Sequence, residues 1–547
     1  MTSSRSTRTV TLVIGTLAAF VLHGILSSYR DAGYGGPHHD EVIGLLAAKG
    51  LERRYAETLA ARQQPFGQVV EAEVWHTWTR GFTPVPFGEI ASDVMSCDKH
   101  PPLAFWVLNR WLSLFEEGQY QQAVVLTWLQ MLTAGGLLGW LAARFTGSVG
   151  WGLAAMTLFL FGNAAVFTGV WVRQYSLFAI LYAAAMILAT ELVRQSTNLA
   201  RFVVLSAVLA VVCMLGMMTQ YTFATMSGPM HAALMGVLVW RRDWRRAALL
   251  ASAYAAAGVA FFLILPNALD QARAVSSDMS GQWQWGDAFG GLPQSVIPWP
   301  SSVPAAFTIA CGVLILAGVG CMAVWLTFRR SSEGDCDPAP MAVIGSGLLG
   351  AGALQVILVG AGYYPGWATG PNHMCAFWLL TVFCLTSWLA LQPRRFAAVS
   401  TALLLGGMVG MQVLYAWHCH RILPRVNTSY VASQQPGLVI GDNLARGFVL
   451  QIAEVLPPEQ PVLFADTSLV QEQFTRGNLT DYRRVLYLPM DDTARDGQAL
   501  VVDAARQSGW KATQLPVVHT GMYDAVLIEA LEGTPAAAED ETPGGAP

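Results

Sequence analysis

About eleven stretches of this chain are apolar over a length close to that needed to cross a bilayer. They lie roughly at 10–28, 122–142, 149–168, 174–193, 201–219, 221–240, 247–265, 304–327, 341–361, 373–391 and 397–417. No soluble core can absorb so many. Hydrophobic residues make up 54% of the 547 and charged residues 12%, where a soluble domain carries about a quarter. The fold class is therefore an all-α polytopic membrane protein. A net charge of −4 with no basic block excludes nucleic acid as a partner. The eight cysteines show no zinc-type spacing, and most sit in apolar segments as small hydrophobes. Arg5 and Arg8 ahead of the first apolar run give it the look of a signal peptide. Its length is that of a span and no A-x-A site follows, so it reads as a retained first helix.

The basic residues of the short loops orient the segments. With the N-terminus cytoplasmic, one side collects Arg144, Arg194, Arg201, the run Arg241-Arg242-Asp243-Trp244-Arg245-Arg246, Arg329-Arg330 and Arg394-Arg395. The other side then holds three larger pieces: the loop at 29–121, the loop near 266–303, and everything after about 420. In the last piece, Pro461–Asp466 and Arg484–Leu488 read as short buried strands, and Asn443–Val455 has helical periodicity. The expected organisation is a membrane domain over 1–420, a small α/β domain over 421–535 outside the cytoplasm, and a disordered tail at 536–547.

The residues that can carry chemistry cluster on the outer side. Asp40-Glu41 opens an amphipathic stretch just past the first apolar segment, where a helix start favours ionised carboxylates. An ionised Asp there is a candidate general base; the alternative is a helix N-cap. Asp98-Lys99-His100-Pro101-Pro102 precedes a run too short to span, which fits a helix lying in the interface. Its electropositive start suits a lipid phosphate, or simply a capped helix with solvated charges. His38-His39-Asp40-Glu41 has ligand types that suit a divalent metal, but no second ligand cluster supports one, so no cofactor is expected. Trp283, Trp285 and Trp299 could stack on a sugar or anchor the interface. His23 and His231 read as hydrogen-bonded core residues.

These residues resemble a family. His39-Asp40-Glu41-Val42 followed by His100-Pro101-Pro102-Leu103 looks like the first outer loop of the GT-C glycosyltransferases. The likeness is to family 39, the protein O-mannosyltransferases and RgtA/B/C/D-like enzymes, and more distantly to the aminoarabinose transferase of lipid A. Arg173-Gln174-Tyr175-Ser176-Leu177 is similar to the family's Arg-x-Tyr-Ser-Leu. Thr219-Gln220-Tyr221 is similar to its Thr-His-Tyr, with Gln in place of His. Pro371-Asn372-His373 resembles its later Arg-His site, with Asn in place of Arg. The likeness covers residues 1 to about 420 and leaves the tail unmatched.

The resemblance implies the GT-C fold and transfer of a sugar from a polyprenyl-phosphate donor to a lipid, glycan or protein acceptor, with inversion. Asp40 would be the base and Glu41 an orienting group. Lys99, His100, Arg173, Tyr175 and His373 would face the donor phosphate. His39, Asp98, Tyr221, Trp283 and Trp285 would face acceptor or sugar. The Ala/Gly/Arg-rich composition suggests a bacterial inner membrane, with site and C-terminus periplasmic. The competing readings are a multi-helix transporter, which lacks its expected inverted repeats here, and a flippase of lipid-linked glycans.

Overall fold

The computed structural model describes residues 14–28, 37–97, 100–116, 119–194, 198–271, 339–360, 373–421, 428–442, 447–489, 492–515 and 525–531. The expected segment at 304–327 and the tryptophans Trp283, Trp285 and Trp299 lie outside them. The chain divides into two compact units. One comprises Met1–Arg30, Val85–Leu112 and Gln121–Tyr415; the other comprises Asp31–Pro84, Ser113–Tyr120 and Ala416–Pro547.

The first unit is helical. Its elements are α1 (Ile14–Ser28), α5 (Phe87–Cys97), α6 (Leu103–Leu112), α7 (Gln119–Thr146), α8 (Val149–Phe161), α9 (Asn163–Thr168), α10 (Tyr175–Val193), α11 (Leu199–Thr219), α12 (Thr222–Trp240), α13 (Trp244–Ile264), α14 (Ala339–Gly360), α15 (Cys375–Leu389) and α16 (Arg394–Arg421). Every expected segment that falls on described residues is helical, and all but that at 149–168 coincide with a single helix. Seven of them, α7, α10 to α14 and α16, are long and apolar enough to cross a membrane, so the chain is a multi-pass membrane protein. Three more apolar helices, α1, α8 and α15, are shorter.

Small residues set the closest approaches, as expected where helices meet without a hydrophobic driving force. A Cβ on Gly347 or Gly350 of α14 would meet Met230 and Pro229 of α12, so these glycines let α12 and α14 pack tightly. The segment expected as one helix over 149–168 is broken at Gly162. The backbone turns extended there, and the Trp378 indole of α15 occupies the space a side chain would need. Trp378 Nε1 donates to the Phe159 carbonyl at 3.0 Å, beside the Gly162 N–H that the same carbonyl accepts at 3.1 Å, so the indole adds a second donor at the end of α8. In the same unit His231 is half-buried and hydrogen-bonded, with Cys213 Sγ at 3.3 Å and Tyr254 Oη at 2.9 Å from its two ring nitrogens, whereas His23, expected to be hydrogen-bonded as well, is fully buried with no hydrogen-bond partner at either ring nitrogen among the described residues.

The second unit is a three-layer α/β domain. Its elements are α2 (His39–Lys49), α3 (Glu52–Ala60), β1 (Val69–Glu71), α4 (Ala72–His76), α17 (Thr428–Gln434), β2 (Leu438–Asp442), α18 (Phe448–Val455), β3 (Pro461–Ala465), α19 (Thr467–Thr475), β4 (Arg484–Pro489), α20 (Asp492–Gln507), β5 (Trp510–Leu515) and β6 (Ala525–Ala530). The sheet order is β1-β3-β2-β4-β6-β5. Strands β3, β2 and β4 run parallel, and β1, β6 and β5 add antiparallel edges. Both faces of the parallel centre are covered, which is why its strands are almost continuously apolar. Alternate residues serve opposite layers. Val439, Val462, Phe464 and Leu486 pack with α2, α3 and α18, while Leu438, Ile440, Leu463 and Tyr487 pack with α19 and α20.

One strand comes from an unexpected place. The sequence places 29–121 with the membrane domain and the α/β domain at 421–535. In the structure Val69, Val70 and Glu71 of the first loop pair with Leu463, Val462 and Pro461 of the tail. Loop and tail therefore share one sheet and one core.

The Gly162 break makes a direct prediction. Gly162→Ala pushes a methyl into the Trp378 indole and should destabilise the protein by about 1–3 kcal/mol. Gly136→Ala, where no atom stands within contact distance of the added methyl, should be neutral or stabilising. Thermal melting of the two variants in detergent checks the contrast.

Candidate active site

The helical unit brings two of the sequence motifs together. Gln174, ahead of α10, donates from Nε2 to Gln220 Oε1 at the end of α11, at 2.9 Å. The Arg173-Gln174-Tyr175 and Thr219-Gln220-Tyr221 breaks thus meet through two buried amides. Arg173 Nη2 stands 3.4 Å from both ring nitrogens of His100, which places the guanidinium against the imidazole, and it lies 5.9 Å from the Phe105 ring centroid. His100 is set at this level by the short helices beside it. Phe87 and Met95 of α5 and Leu103 of α6 pack against Met218, Phe261 and Leu265 at the ends of α11 and α13.

Arg173 and Gln174 line a narrow cleft that opens to solvent. Phe105, Leu108, Leu126 and Leu177 make most of its wall apolar, and Thr127 and Gln130 add polar points. Gln174 is buried, yet its Oε1 has no hydrogen-bond partner among the described residues. A buried unpaired amide oxygen is costly unless a ligand or water meets it. The cleft therefore combines a cation, an open polar atom and an apolar wall.

Two other expected phosphate ligands engage each other. Tyr175 Oη and His373 Nε2 are 2.8 Å apart, both residues are buried, and the rings pack edge to face at 4.6 Å. Tyr221 Oη donates to Gln271 Oε1 at 2.5 Å. Asp98, Lys99, Trp283 and Trp285 lie outside the described residues.

In the α/β unit the adjacent acids have different surroundings. Glu41 is 3% exposed. Its Oε2 accepts the His38 N–H at 2.7 Å and the Tyr120 hydroxyl at 3.3 Å. His38 in turn accepts the Asp40 N–H on Nδ1 at 3.2 Å. This is a reciprocal capping box with histidine in the Ser/Thr place. The N-cap role weighed for Asp40 thus falls to His38, with Glu41 closing the box from the third helical position. Asp40 projects outward, with its side chain 43% exposed between His38 Nδ1 at 3.7 Å and His39 Nε2 at 3.5 Å. The His39 ring packs tilted against Phe448 at 4.5 Å, and a Cβ on Gly447 would come within 2.6 Å of the His39 carbonyl. The start of α2 is thus braced by the tail. His38, His39 and Asp40 also offer three atoms within 4.8 Å of one another, a spacing a metal ion could bridge.

The sequence reading missed Tyr120, Gln174, Gly447 and Phe448. The His-x-x-Glu spacing of the cap was visible, but histidine is not a residue that the capping pattern names. Nothing local to Gly447 or Phe448 marks them, because their importance comes from a partner about 400 residues away.

Fold and geometry together define a multi-pass membrane protein that carries an α/β domain and polar residues gathered at helix ends. No protein-family model and no curated protein matches the chain. Among solved structures it is similar to ArnT from Cupriavidus metallidurans in the apo state, with 12% identity over 96% of this chain and 98% of that one, at a TM-score of 0.36. It is likewise similar to ArnT from the same organism bound to undecaprenyl phosphate, with 12% identity over 96% and 99%, at a TM-score of 0.39.

Lys49 closes α2 just before Gly50, whose φ of +64° ends the helix. Its Nζ donates to the Thr77 and Arg80 carbonyls at 2.7 and 2.5 Å. Burial draws its pKa from 10.5 down to about 8. The folded protein thus holds this proton more weakly than the unfolded chain, so the penalty from Lys49 is full below about 8 and is relieved as pH climbs toward 10.5. Melting of wild type and Lys49→Met across that window should show wild type gaining on the variant as pH rises.

Proposed function

We propose that this protein is an integral-membrane glycosyltransferase that moves a sugar from a polyprenyl-phosphate donor to an acceptor outside the cytoplasm. The observation that carries the reading is the cleft of the helical unit, where Arg173, backed by His100, faces a mostly apolar wall. A guanidinium matches phosphate oxygens with a fork of donors, and the apolar wall suits an isoprenoid chain. The family resemblance of the same residues supports this independently.

In this reading Asp40 takes the proton from the acceptor's hydroxyl or amine. The freed lone pair attacks the anomeric carbon opposite the phosphate, the carbon–oxygen bond to phosphate breaks, and the configuration inverts. The polyprenyl phosphate leaves with its charge balanced by Arg173 and His100, and by Lys99 as the resemblance implies. The exposure of Asp40 supports its part, since a base must reach a substrate. Glu41, buried and held in the cap through Oε2, supports the position of Asp40. The Tyr175–His373 pair holds the start of α10, so we assign both a positioning role behind Arg173. The N-terminus is taken as cytoplasmic and the reacting groups as periplasmic, in keeping with the arginine-bearing loops.

Two variants separate the roles. Asp40→Asn should lower transfer about 10²–10⁴-fold while leaving polyprenyl-phosphate binding intact. Arg173→Ala should weaken that binding and lower turnover about 10²-fold. A labelled-donor assay in detergent, paired with binding of unsubstituted polyprenyl phosphate, reads both. Full transfer activity in Asp40→Asn removes the base assignment.

A further inference from the structure

The opposite end of the same helices carries a second cluster. Glu191, near the end of α10, is 7% exposed and gathers three guanidinium groups. Arg144 of α7 engages it through Nε at 2.8 Å and Nη2 at 3.2 Å, Arg194 through Nη1 at 3.0 Å, and Arg201 of α11 through Nη2 at 3.0 Å. A carboxylate offers about four lone-pair sites, whereas three guanidiniums carry about fifteen N–H groups. The single Glu191 therefore neutralises one of three positive charges and leaves most donors available. A clamp between helices needs only the bidentate Arg144 bond; the other two arginines exceed it. Arg241 adds a fourth guanidinium beside the cluster, donating to the Val193 carbonyl.

The surroundings mark this as headgroup level. Trp140, Trp240 and Trp244 are 48%, 88% and 62% exposed at the same helix ends, as in an interfacial aromatic belt. Arg144 lies 5.5 Å from the Trp140 ring centroid. Along α11 from Arg201, Val203, Val204, Val208 and Val211 form an exposed apolar stripe. From Arg173 to Arg194, α10 spans about 30 Å, the thickness of the hydrocarbon core.

We propose that the arginine cluster around Glu191 binds the phosphate headgroup of an acidic phospholipid, with the acyl chains lying along the valine stripe of α11. Excess positive charge supplies the attraction, the forked donors match phosphate oxygens, and the adjoining apolar face selects a lipid over a free anion. The site is separate from the cleft at Arg173 and does not depend on the proposed reaction.

The test uses the full chain in phosphatidylcholine nanodiscs, with and without phosphatidylglycerol, and native mass spectrometry to count retained lipid. Wild type should retain phosphatidylglycerol over phosphatidylcholine. Arg144→Gln with Arg201→Gln should lose that preference, by about five-fold per arginine removed. Glu191→Gln, which removes the competing carboxylate, should retain phosphatidylglycerol at least as well as wild type. This second variant keeps the proposal open to refutation should the double variant fail to fold. Retention that is unchanged in a folded double variant, or lost in a folded Glu191→Gln, overturns the proposal. Displacement of the lipid by matched inorganic phosphate also overturns it, in favour of a simple anion site.

Discussion

Val42 and Leu46, one turn apart on α2, are fully buried in the core that α18 shares with the central strands. The remainder of the proposed chemistry depends on this seam. α2 is eleven residues long, too short to be stable alone in water. Its direction and register come from packing on a helix contributed by the tail. Gly447 and Phe448 then brace the turn that carries His39 and Asp40. The tail is thus the support on which the candidate base stands, and removing it would expose a ready-made apolar stripe on the first loop.

The two acids show how neighbouring residues divide work. One carboxylate is committed to backbone N–H and tyrosine contacts inside the cap. That commitment fixes the first turn of α2, and the adjacent side chain inherits a defined direction without making the cap itself. At the other cluster, the paired amides of Gln174 and Gln220 tie together the polar starts and ends of α10 and α11. In both places a hydrogen-bonded group holds its neighbour in position.

The apolar segments were legible because an uninterrupted apolar run of span length can hardly be buried in any other way than by a bilayer. Strands β3 and β4 could be read from short runs of branched and aromatic residues. β1 could not, since Val69–Glu71 is three residues long and its pairing with β3 is non-local. The break at Gly162 was hidden because an apolar run keeps its hydropathy whether or not the helix is continuous; the cause is the indole of Trp378, far along the chain. In the candidate site, residue types were legible and contacts were not. Arg173 and Asp40 stood out by chemistry and setting, while the placing of the cap on His38 and Glu41, and not on Asp40, depends on a histidine in an uncommon place.

The shared sheet has a consequence for how the protein is made. β1 emerges from the ribosome roughly 390 residues before the strand it pairs with. At about 5–20 residues per second, the first loop waits about 20–80 s, with Val42, Leu46 and Trp75 still lacking the tail residues they pack against. During that interval it is an open edge and an uncovered apolar surface. The strand that covers the first loop is made long after it, so this domain can complete its fold only once β3 and its neighbours have been synthesised, and a chain stalled before them would leave the loop exposed to proteases and chaperones.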